Sequence, residues 1–408
     1  MKKLMLLGGA HYLLPVIKAA HELGLYVISC DYLPGNIAHK YSDKYLNVSI
    51  IDKDAVLSAA REENIDGIMS FACDPGVTTA AYVAQMMGLP SVGSYEAVSI
   101  LQNKGRFRAF LRDNGFNVPW AYSFEGLDAA LEAKNKFTYP AIVKPVDSAG
   151  SKGVSRVDDE SGLRAAVEYA LKFSFCNNVI IEQFITQQGA SSDTDSFSID
   201  GRLCFASFNN QLFDAKADNP YTPAAYTWPS GMPTEVQAEL RAEIQRLITL
   251  LGLRTSVYNI ETRLGTDGKA YIMELSPRGG GNRLCEVLKL ACGTDLIKAA
   301  VQAAVGMPVE EMSDPVYSGH FAEIILHSDN EGHFRELWIS PELEECVLER
   351  NLWVVENEWV ESFTGANKAI GTLVMNFRTE EELNRYMNET DWYRIVLDGT
   401  LNLKGSGQ

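Results

Sequence analysis

Short apolar runs alternate with helical periods through the first hundred residues, and this alternation most limits how the chain can fold. Four runs have the length of a buried strand, at residues 4–7, 26–30, 67–71 and 90–92. Helical spacing appears between them, at residues 13–23 and 78–87. Such a rhythm favours a parallel sheet with helices on both faces. Gly8 and Gly9 do not complete a GxGxxG pattern, so a dinucleotide site there is only weakly indicated.

Two further modules follow the first. Residues 139–144, 154–157 and 179–182 are typical of strands, and Asp200 with Gly201 indicates a hairpin turn among antiparallel strands. The last hundred residues are rich in strand-forming residues. The sequence therefore predicts an α/β domain at 1–103, an α+β domain at 104–315 and a small strand-rich domain at 316–408.

Charge and cysteine usage exclude several classes of protein. There are 36 Lys and Arg against 53 Asp and Glu, a net charge of −17, which argues against a nucleic-acid or anionic-membrane partner. Residues 309–408 hold 20 of the acidic and seven of the basic residues. No apolar stretch reaches the roughly 18 residues of a membrane span. Seven scattered cysteines without a CxxC pair favour a reducing, cytoplasmic location.

The hairpin predicted around Asp267 and Gly268 carries the most informative side chains. A two-residue type I′ turn there would place Glu261 directly opposite Glu274. The same register pairs Asn259 with Ser276 and Arg263 with Ile272, all on one face because side chains alternate along a strand. The opposite face would collect apolar residues for a core, namely Ile260, Leu264, Tyr271, Met273 and Leu275.

Two directly opposed carboxylates lie about 5 Å apart and repel each other. A buried or half-buried pair needs a cation or a shared proton, and Mg²⁺ or Mn²⁺ completed by phosphate oxygens is the natural solution. A solvated edge strand with two unremarkable glutamates is the alternative. On this segment alone the two interpretations are about equally favoured.

A flexible loop follows a strand that ends at Lys144. Its polar and glycine residues suit a loop that closes over phosphates, and they are Ser148, Gly150, Ser151, Lys152 and Gly153. The spacing is not that of a Walker P-loop. A surface hairpin loop is the alternative, and the lysine at the strand's end favours the phosphate interpretation.

Taken in order, several segments resemble the ATP-grasp superfamily. They are Lys104, residues 139–145, 148–154, 179–185, 259–261 and 273–281. The resemblance implies an ATP-grasp fold with an N-terminal Rossmann-like domain and a lid subdomain at about 121–186. The acidic C-terminal module resembles the closing domain of the carbamoyl-phosphate-synthetase and glycinamide-ribonucleotide-synthetase branches.

The resemblance also implies residue roles. Lys104, Lys144 and the 148–153 loop would hold the phosphates of ATP. The adenine pocket would be lined by Glu182, Gln183 and Ile185. Two Mg²⁺ or Mn²⁺ ions would be bound by Glu261 and Glu274, and Arg278 would stabilise the charge that develops during phosphoryl transfer.

This sequence departs from the family pattern at two places. Ser276 stands where an asparagine ligand is usual, so the second metal would lean on water or on Asn259. The acidic residue that usually grips the ribose has no clear equivalent, since the expected segment offers only Asp193 and Asp195.

The leading functional hypothesis is an ATP-dependent carboxylate–amine ligase that forms an acyl phosphate. The resemblance favours an amino-acid substrate, because ligases of this superfamily that use amino acids often carry a Gly-rich stretch after the arginine, as residues 279–281 do after Arg278. Arg283 would pair with a substrate carboxylate or else be a surface arginine. One alternative is a bicarbonate-activating enzyme like carbamoyl-phosphate synthetase or biotin carboxylase. Another is a nucleotide-binding protein without catalysis. The expected partners are small-molecule carboxylates and amines, and a homodimer is left open.

Overall fold

The computed structural model describes residues 1–148, 150–217, 219–389, 391–398 and 400–401. Ala149, within the predicted phosphate loop, and the end of the predicted third domain after residue 401 lie outside the described residues.

The N-terminal part is the predicted parallel sheet, with strand order β3-β2-β1-β4. Its elements are β1 (Lys3–Leu7), α1 (Leu14–Glu22), β2 (Tyr26–Cys30), β3 (Lys44–Leu46), α2 (Lys53–Glu63), β4 (Gly67–Ser70), α3 (Val77–Met87) and α4 (Tyr95–Gln102). Met5 and Leu7 pack with apolar residues of α2 and α3 on one face, and Leu4 and Leu6 pack with α1 on the other. Burial on both faces explains why these strands are apolar runs rather than alternating ones.

The strand predicted at residues 90–92 is wrong. That segment is irregular, and the fourth strand of the sheet is β3, whose Lys-Tyr-Leu sequence has no apolar run. Pro90 has no N–H to contribute to a sheet ladder. The Val92 carbonyl instead accepts a hydrogen bond from the Arg254 amide at 2.7 Å, which ties this connection to the second module.

A small antiparallel sheet with strand order β5-β8-β6-β7 occupies the region predicted as the lid. Its elements and the helix before it are α5 (Lys104–Asp113), β5 (Ala121–Glu125), α6 (Gly126–Glu132), β6 (Ala141–Pro145), β7 (Ser155–Val157), α7 (Leu163–Leu171) and β8 (Asn178–Gln183). Apolar residues of α6 and α7 pack against the sheet in a core of its own.

A second antiparallel sheet carries the predicted carboxylates. The elements of this region are β9 (Ser192–Ile199), β10 (Arg202–Ala206), β11 (Asn210–Phe213), β12 (Pro223–Trp228), α8 (Thr234–Leu250), β13 (Ser256–Leu264), β14 (Ala270–Ser276), α9 (Leu284–Cys292) and α10 (Leu296–Ala304). The strand order is β10-β9-β13-β14. Helix α8 buries Ile244 and Leu247 in the core that also holds Ile260 and Leu275, so the opposite face of the sheet is left for the site.

The C-terminal region adds two sheets. Its elements are β15 (His320–Leu326), β16 (Gly332–Ile339), β17 (Val347–Leu352), β18 (Trp359–Val360), β19 (Gly371–Phe377), α11 (Glu380–Asn388), β20 (Tyr393–Leu397) and β21 (Thr400–Leu401). The strand orders are β11-β12-β15-β19-β17 and β18-β16-β20-β21. Because β12 pairs with β15, strands from either side of residue 315 share one sheet. The domain boundaries at 103 and 315 stay predictions.

Two absences hold for the described part of the chain. None of its helices combines the length and the apolar character that crossing a membrane requires. All seven cysteines lie within it, and each is a free thiol.

Candidate active site

The predicted facing of Glu261 and Glu274 across β13 and β14 is confirmed, as is that of Asn259 and Ser276. The reason differs from the one predicted. Strand β13 ends at Leu264 and β14 begins at Ala270, so the two strands are joined by a five-residue loop. Within this loop the Gly268 amide donates a hydrogen bond to the Gly265 carbonyl at 2.9 Å. This loop shifts the register by one residue relative to a two-residue turn.

A bulge at Met273 shifts the register back. Arg263 faces Tyr271 rather than the predicted Ile272, and the pairing is irregular between Glu261 and Thr262. An extra residue on one strand of an antiparallel pair has this effect. The two one-residue shifts cancel exactly at the carboxylate pair.

The bulge also changes which residues form the core face, and the predicted faces were wrong for three positions. Ile272 joins Ile260 and Leu275 in the core under α8. Tyr271 and Met273 instead pack with Ile185, which follows the last lid strand β8. The three side chains form an apolar patch between the hairpin and the lid.

Glu261 and Glu274 are suited to a hard divalent cation. Their side chains are partly exposed, and each carboxylate forms an ion pair: Arg263 lies 3.0 Å from Glu261, and Lys104 lies 3.8 Å from Glu274. Carboxylate oxygens are the ligands that Mg²⁺ prefers, and repulsion between the pair favours a bound cation. The donor set therefore fits the predicted metal.

Arg278, just beyond β14, is held rigidly by a residue from the N-terminal domain. Its guanidinium binds both carboxylate oxygens of Asp74, with Nε at 3.0 Å and one terminal nitrogen at 2.6 Å. Burial raises the pKa of Asp74, but Arg278 outweighs burial and leaves the pKa below its usual value. A bidentate pair of this kind fixes direction as well as charge.

Ser276 and Asn259 are already engaged within the protein. The Ser276 hydroxyl donates to Asp74 at 2.8 Å and accepts from the Gln102 amide at 2.9 Å. The Asn259 side-chain carbonyl accepts from Arg278 at 3.2 Å, and its amide donates to Asp193 at 2.8 Å. Both side chains are therefore oriented by hydrogen bonds to other residues of the site.

Asp193 and Asp195 lie on β9, beside the hairpin of β13 and β14. We call it the metal hairpin after the predicted role of Glu261 and Glu274. Asp193 faces Glu261. Burial and then the charge of Glu261 raise the pKa of Asp193 to about 7, and burial raises the pKa of Asp195 to about 6. Asp195 accepts a hydrogen bond from the Gly280 amide at 2.8 Å. A side chain at Gly280 would come within 2.6 Å of the Leu284 side chain and 2.8 Å of the Asn259 side chain, so both would have to shift.

Glu182 sits at the centre of a buried charge cluster. Its carboxylate pairs with Lys144 and, at 2.8 Å, with Arg108, which also donates to the Met273 carbonyl at 2.7 Å. Burial alone would raise the pKa of Glu182, but Arg108 and Lys144 hold it at about 2. Lys144, which was predicted to hold the phosphates of ATP, is therefore ion-paired with Glu182 in this structure.

Lys104 connects the loop to the metal hairpin. Its ammonium donates to the Ser148 carbonyl at 2.8 Å and approaches Glu274. The loop is fastened at the other end, where the Ser151 hydroxyl donates to the Tyr221 carbonyl at 2.8 Å. Gly150, Ser151 and Gly153 all have positive φ, a conformation that glycine adopts without strain, and glycine occupies two of the three positions. Lys152 lies between them.

The chain that leaves the lid is attached to the metal hairpin. Gln183 is the exposed last residue of β8. Two residues later Ile185 turns inward to Tyr271 and Met273. The Gln188 amide then donates to the Leu264 carbonyl at 2.8 Å. The segment that follows β8 therefore connects the predicted lid to the β13–β14 hairpin.

Sequence reasoning missed two residues of the site, Asp74 and Arg108. Asp74 lies about two hundred positions before Arg278, and no local pattern marks it. Arg108 is one of several basic residues on α5, yet its side chain is only 3% exposed. Only the opposite charge of Glu182 hints at a partner, and the sequence does not show that they meet.

Asp74→Asn should lower turnover about tenfold, because Arg278 loses one charged partner that orients it. The amide keeps a carbonyl oxygen, so the fold should survive. Ser276→Ala is the matched control, since it removes a neighbouring hydrogen bond to Asp74 without touching Arg278. Steady-state kinetics and melting temperatures of both variants test this. An equal loss of turnover in the two variants would mean that Asp74 acts only through packing and not by orienting Arg278.

Comparison with known proteins agrees with this architecture. Residues 137–286 match the model of the ATP-grasp domain. The carbamoyl phosphate synthase large chain of Vibrio cholerae is 24% identical over 76% of this chain, and the aligned part is 29% of that relative's length.

Solved structures resemble the whole chain. L-amino acid ligase from Bacillus licheniformis superposes with a TM-score of 0.79 at 21% identity, covering 98% of this chain and 99% of that one. Phosphoribosylglycinamide synthetase from Anaerococcus prevotii gives a TM-score of 0.74 at 19% identity, with 97% and 100% covered. Likeness at this level of identity concerns the fold. Residues 137–286 therefore match the ATP-grasp domain, and the chain as a whole shares its fold with these two enzymes.

Proposed function

We propose that this protein is an ATP-dependent ligase that activates a carboxylate as an acyl phosphate for attack by an amine. The observation that carries the proposal is the convergence of opposed Glu261 and Glu274 with Arg278 and Lys104 on one sheet face. These groups provide metal ligands and fixed positive charge at one place, which is what phosphoryl transfer requires.

Each residue then has a physical task. Glu261 and Glu274 would hold Mg²⁺, which neutralises phosphate charge when bound. Lys104 and Lys144 would stabilise phosphate oxygens, and Arg278, oriented by Asp74, would face the oxygen on which charge develops. Ile185, Tyr271 and Met273 offer an apolar surface for the adenine ring, beside the polar Gln183 and the Glu182 cluster.

Product analysis tests the proposal directly. Purified protein with MgATP should release ADP, rather than AMP, in response to one or more of the twenty L-amino acids. With hydroxylamine present the same acid should yield a hydroxamate, because an acyl phosphate is trapped by that nucleophile. Absence of acid-dependent ADP release across the panel would contradict ligase activity.

Activation of bicarbonate is the second candidate, favoured by the sequence similarity to carbamoyl phosphate synthase. Bicarbonate is a carboxylate-like acid, so the same site chemistry would apply. ADP release that depends on bicarbonate and is indifferent to amino acids would select this function over the first.

The loop at 148–153 should be protected by nucleotide. Trypsin cleavage after Lys152 should slow when MgATP is added, since phosphates supply partners for its backbone amides and fix the glycines. Cleavage followed by mass spectrometry, with MgCl₂ alone as the control, measures this. An unchanged rate would count against the phosphate role of the loop.

A further inference from the structure

Glu323 is a buried carboxylate that the metal and phosphate chemistry does not use. It lies in the middle of β15, its side chain is fully buried, and neither carboxylate oxygen has a hydrogen-bond partner among the described residues. Leaving a buried carboxylate without a partner is costly, so native structures rarely keep one without a reason.

The position of Glu323 links it to the site. Tyr226 lies directly opposite on β12, so the two side chains share a face of the sheet. The Tyr226 hydroxyl donates to Asp193 at 3.1 Å and accepts from Asn282 at 3.4 Å. Asp193 in turn faces Glu261 of the metal pair. Glu323 is therefore separated from the metal hairpin by only Tyr226 and Asp193.

The charges around Glu323 do not balance. Asp195, Glu286 and Glu349 are close enough to act on it electrostatically, and Arg283 is the cation that does so. Arg283 is already bound by Glu286, at 2.9 Å, and by Glu349. The substrate-carboxylate role considered for Arg283 is thus disfavoured, and the region as a whole is complementary to a positive charge.

A cavity of about 620 Å³ lies next to this region, between α1 and the end of β17. Tyr12, Arg283 and Glu286 form part of its wall, and each also interacts electrostatically with Glu323. Tyr12 is joined to Asn282 by a single 3.0 Å hydrogen bond. A substrate in this cavity would lie against Tyr12, Arg283 and Glu286, which act electrostatically on Glu323.

We propose that Glu323 binds a cationic nitrogen carried by the carboxylate substrate, which makes that substrate an amino acid rather than a simple acid. The inference rests on the proposed ligase function. The substrate carboxylate would face Arg278 while its ammonium takes the place of the partner that Glu323 lacks.

Paired substrates test this without knowledge of the natural one. Hydroxamate formation is measured for alanine, leucine and phenylalanine and for their deamino analogues propionate, 4-methylpentanoate and 3-phenylpropionate, together with any other amino acid that proves active. Wild type should prefer the amino acid. In Glu323→Gln the ratio of kcat/KM between amino acid and analogue should fall about 30-fold, mainly through KM, because an amide cannot balance the ammonium charge.

Val374→Ala is the matched control, because Val374 lies directly opposite Glu323 on β19 and its truncation disturbs the same packing without changing charge. It should lower the melting temperature and leave the ratio within threefold. A wild type that shows no preference, or a Glu323→Gln ratio equal to that of wild type, would overturn this inference and leave the ligase proposal intact. ADP release in response to bicarbonate alone would overturn both the role inferred for Glu323 and the ligase proposal.

Discussion

Glu261→Gln and Glu274→Gln are each expected to lower Mg²⁺-dependent turnover by about 100-fold or more, while the protein still folds. A carboxylate converted to an amide loses the charge that binds the metal, and the opposing carboxylate cannot replace it alone. The neighbouring Ser276 and Asn259 are neutral and already hydrogen-bonded to Asp74 and Arg278, so neither replaces the lost negative charge. Turnover measured over a range of Mg²⁺ concentrations tests it.

Stability separates a metal role from a structural one. Removing one of two opposed charges relieves repulsion, so the melting temperature should be unchanged or higher without metal. Glu336→Gln, which alters an exposed glutamate on β16, controls for loss of charge as such. If both hairpin variants kept wild-type turnover at all Mg²⁺ concentrations, the pair would be a solvated edge and not a metal site.

Local patterns were sufficient to predict the parallel sheet and the carboxylate pair. Apolar runs revealed β1, β2 and β4 because strands buried on both faces must be apolar. They could not reveal β3, a short edge strand in which only Tyr45 and Leu46 are apolar. The opposition of Glu261 and Glu274 was predicted correctly only because a longer loop and a bulge cancel, and neither device has a clear sequence signal.

Contacts between distant segments could not be predicted. Asp74 reaches Arg278, and Arg108 reaches Glu182, through packing of segments that lie far apart in the sequence, and no local pattern encodes these contacts. The burial of Glu323 could not be predicted either, because its sequence neighbours are those of an ordinary strand and only the tertiary structure shows that it is enclosed. The residues proposed to bind metal and phosphate could be predicted from the sequence, whereas the residues that orient them in the structure could not.

Lys144→Met should lower turnover about 100-fold and also destabilise the protein, by about 1–2 kcal/mol. The methionine keeps the aliphatic stem but removes the charge that would meet the phosphates. It also removes one of the two cations that hold Glu182, and the loss of stability stays moderate because Arg108 remains. Chemical unfolding and ATP turnover measure the two effects separately.

The destabilisation should depend on pH with a defined sign. The pKa of Glu182 is about 2 in the folded protein and about 4.5 when unperturbed, so its ion pairs stabilise the fold above that upper value and lose this contribution as the pH falls toward 2. The difference in unfolding free energy between wild type and Lys144→Met should therefore narrow as the pH falls from 5 to 3. A difference that stays constant would mean that the lysine acts on stability through packing alone.

Glu182→Gln distinguishes a direct role of Lys144 in turnover from an indirect one. Glu182→Gln leaves the charge of Lys144 in place and removes its carboxylate partner. If Lys144 contacts phosphate directly, it should still support most of the turnover. Turnover should therefore fall less in Glu182→Gln than in Lys144→Met. If the two variants lost turnover equally, Lys144 would matter only as a partner of Glu182, and the phosphate contacts would have to come from Lys104 and the 148–153 loop. Lys104 already lies between that loop and Glu274, so the site would keep one cation in position for the transferred phosphate.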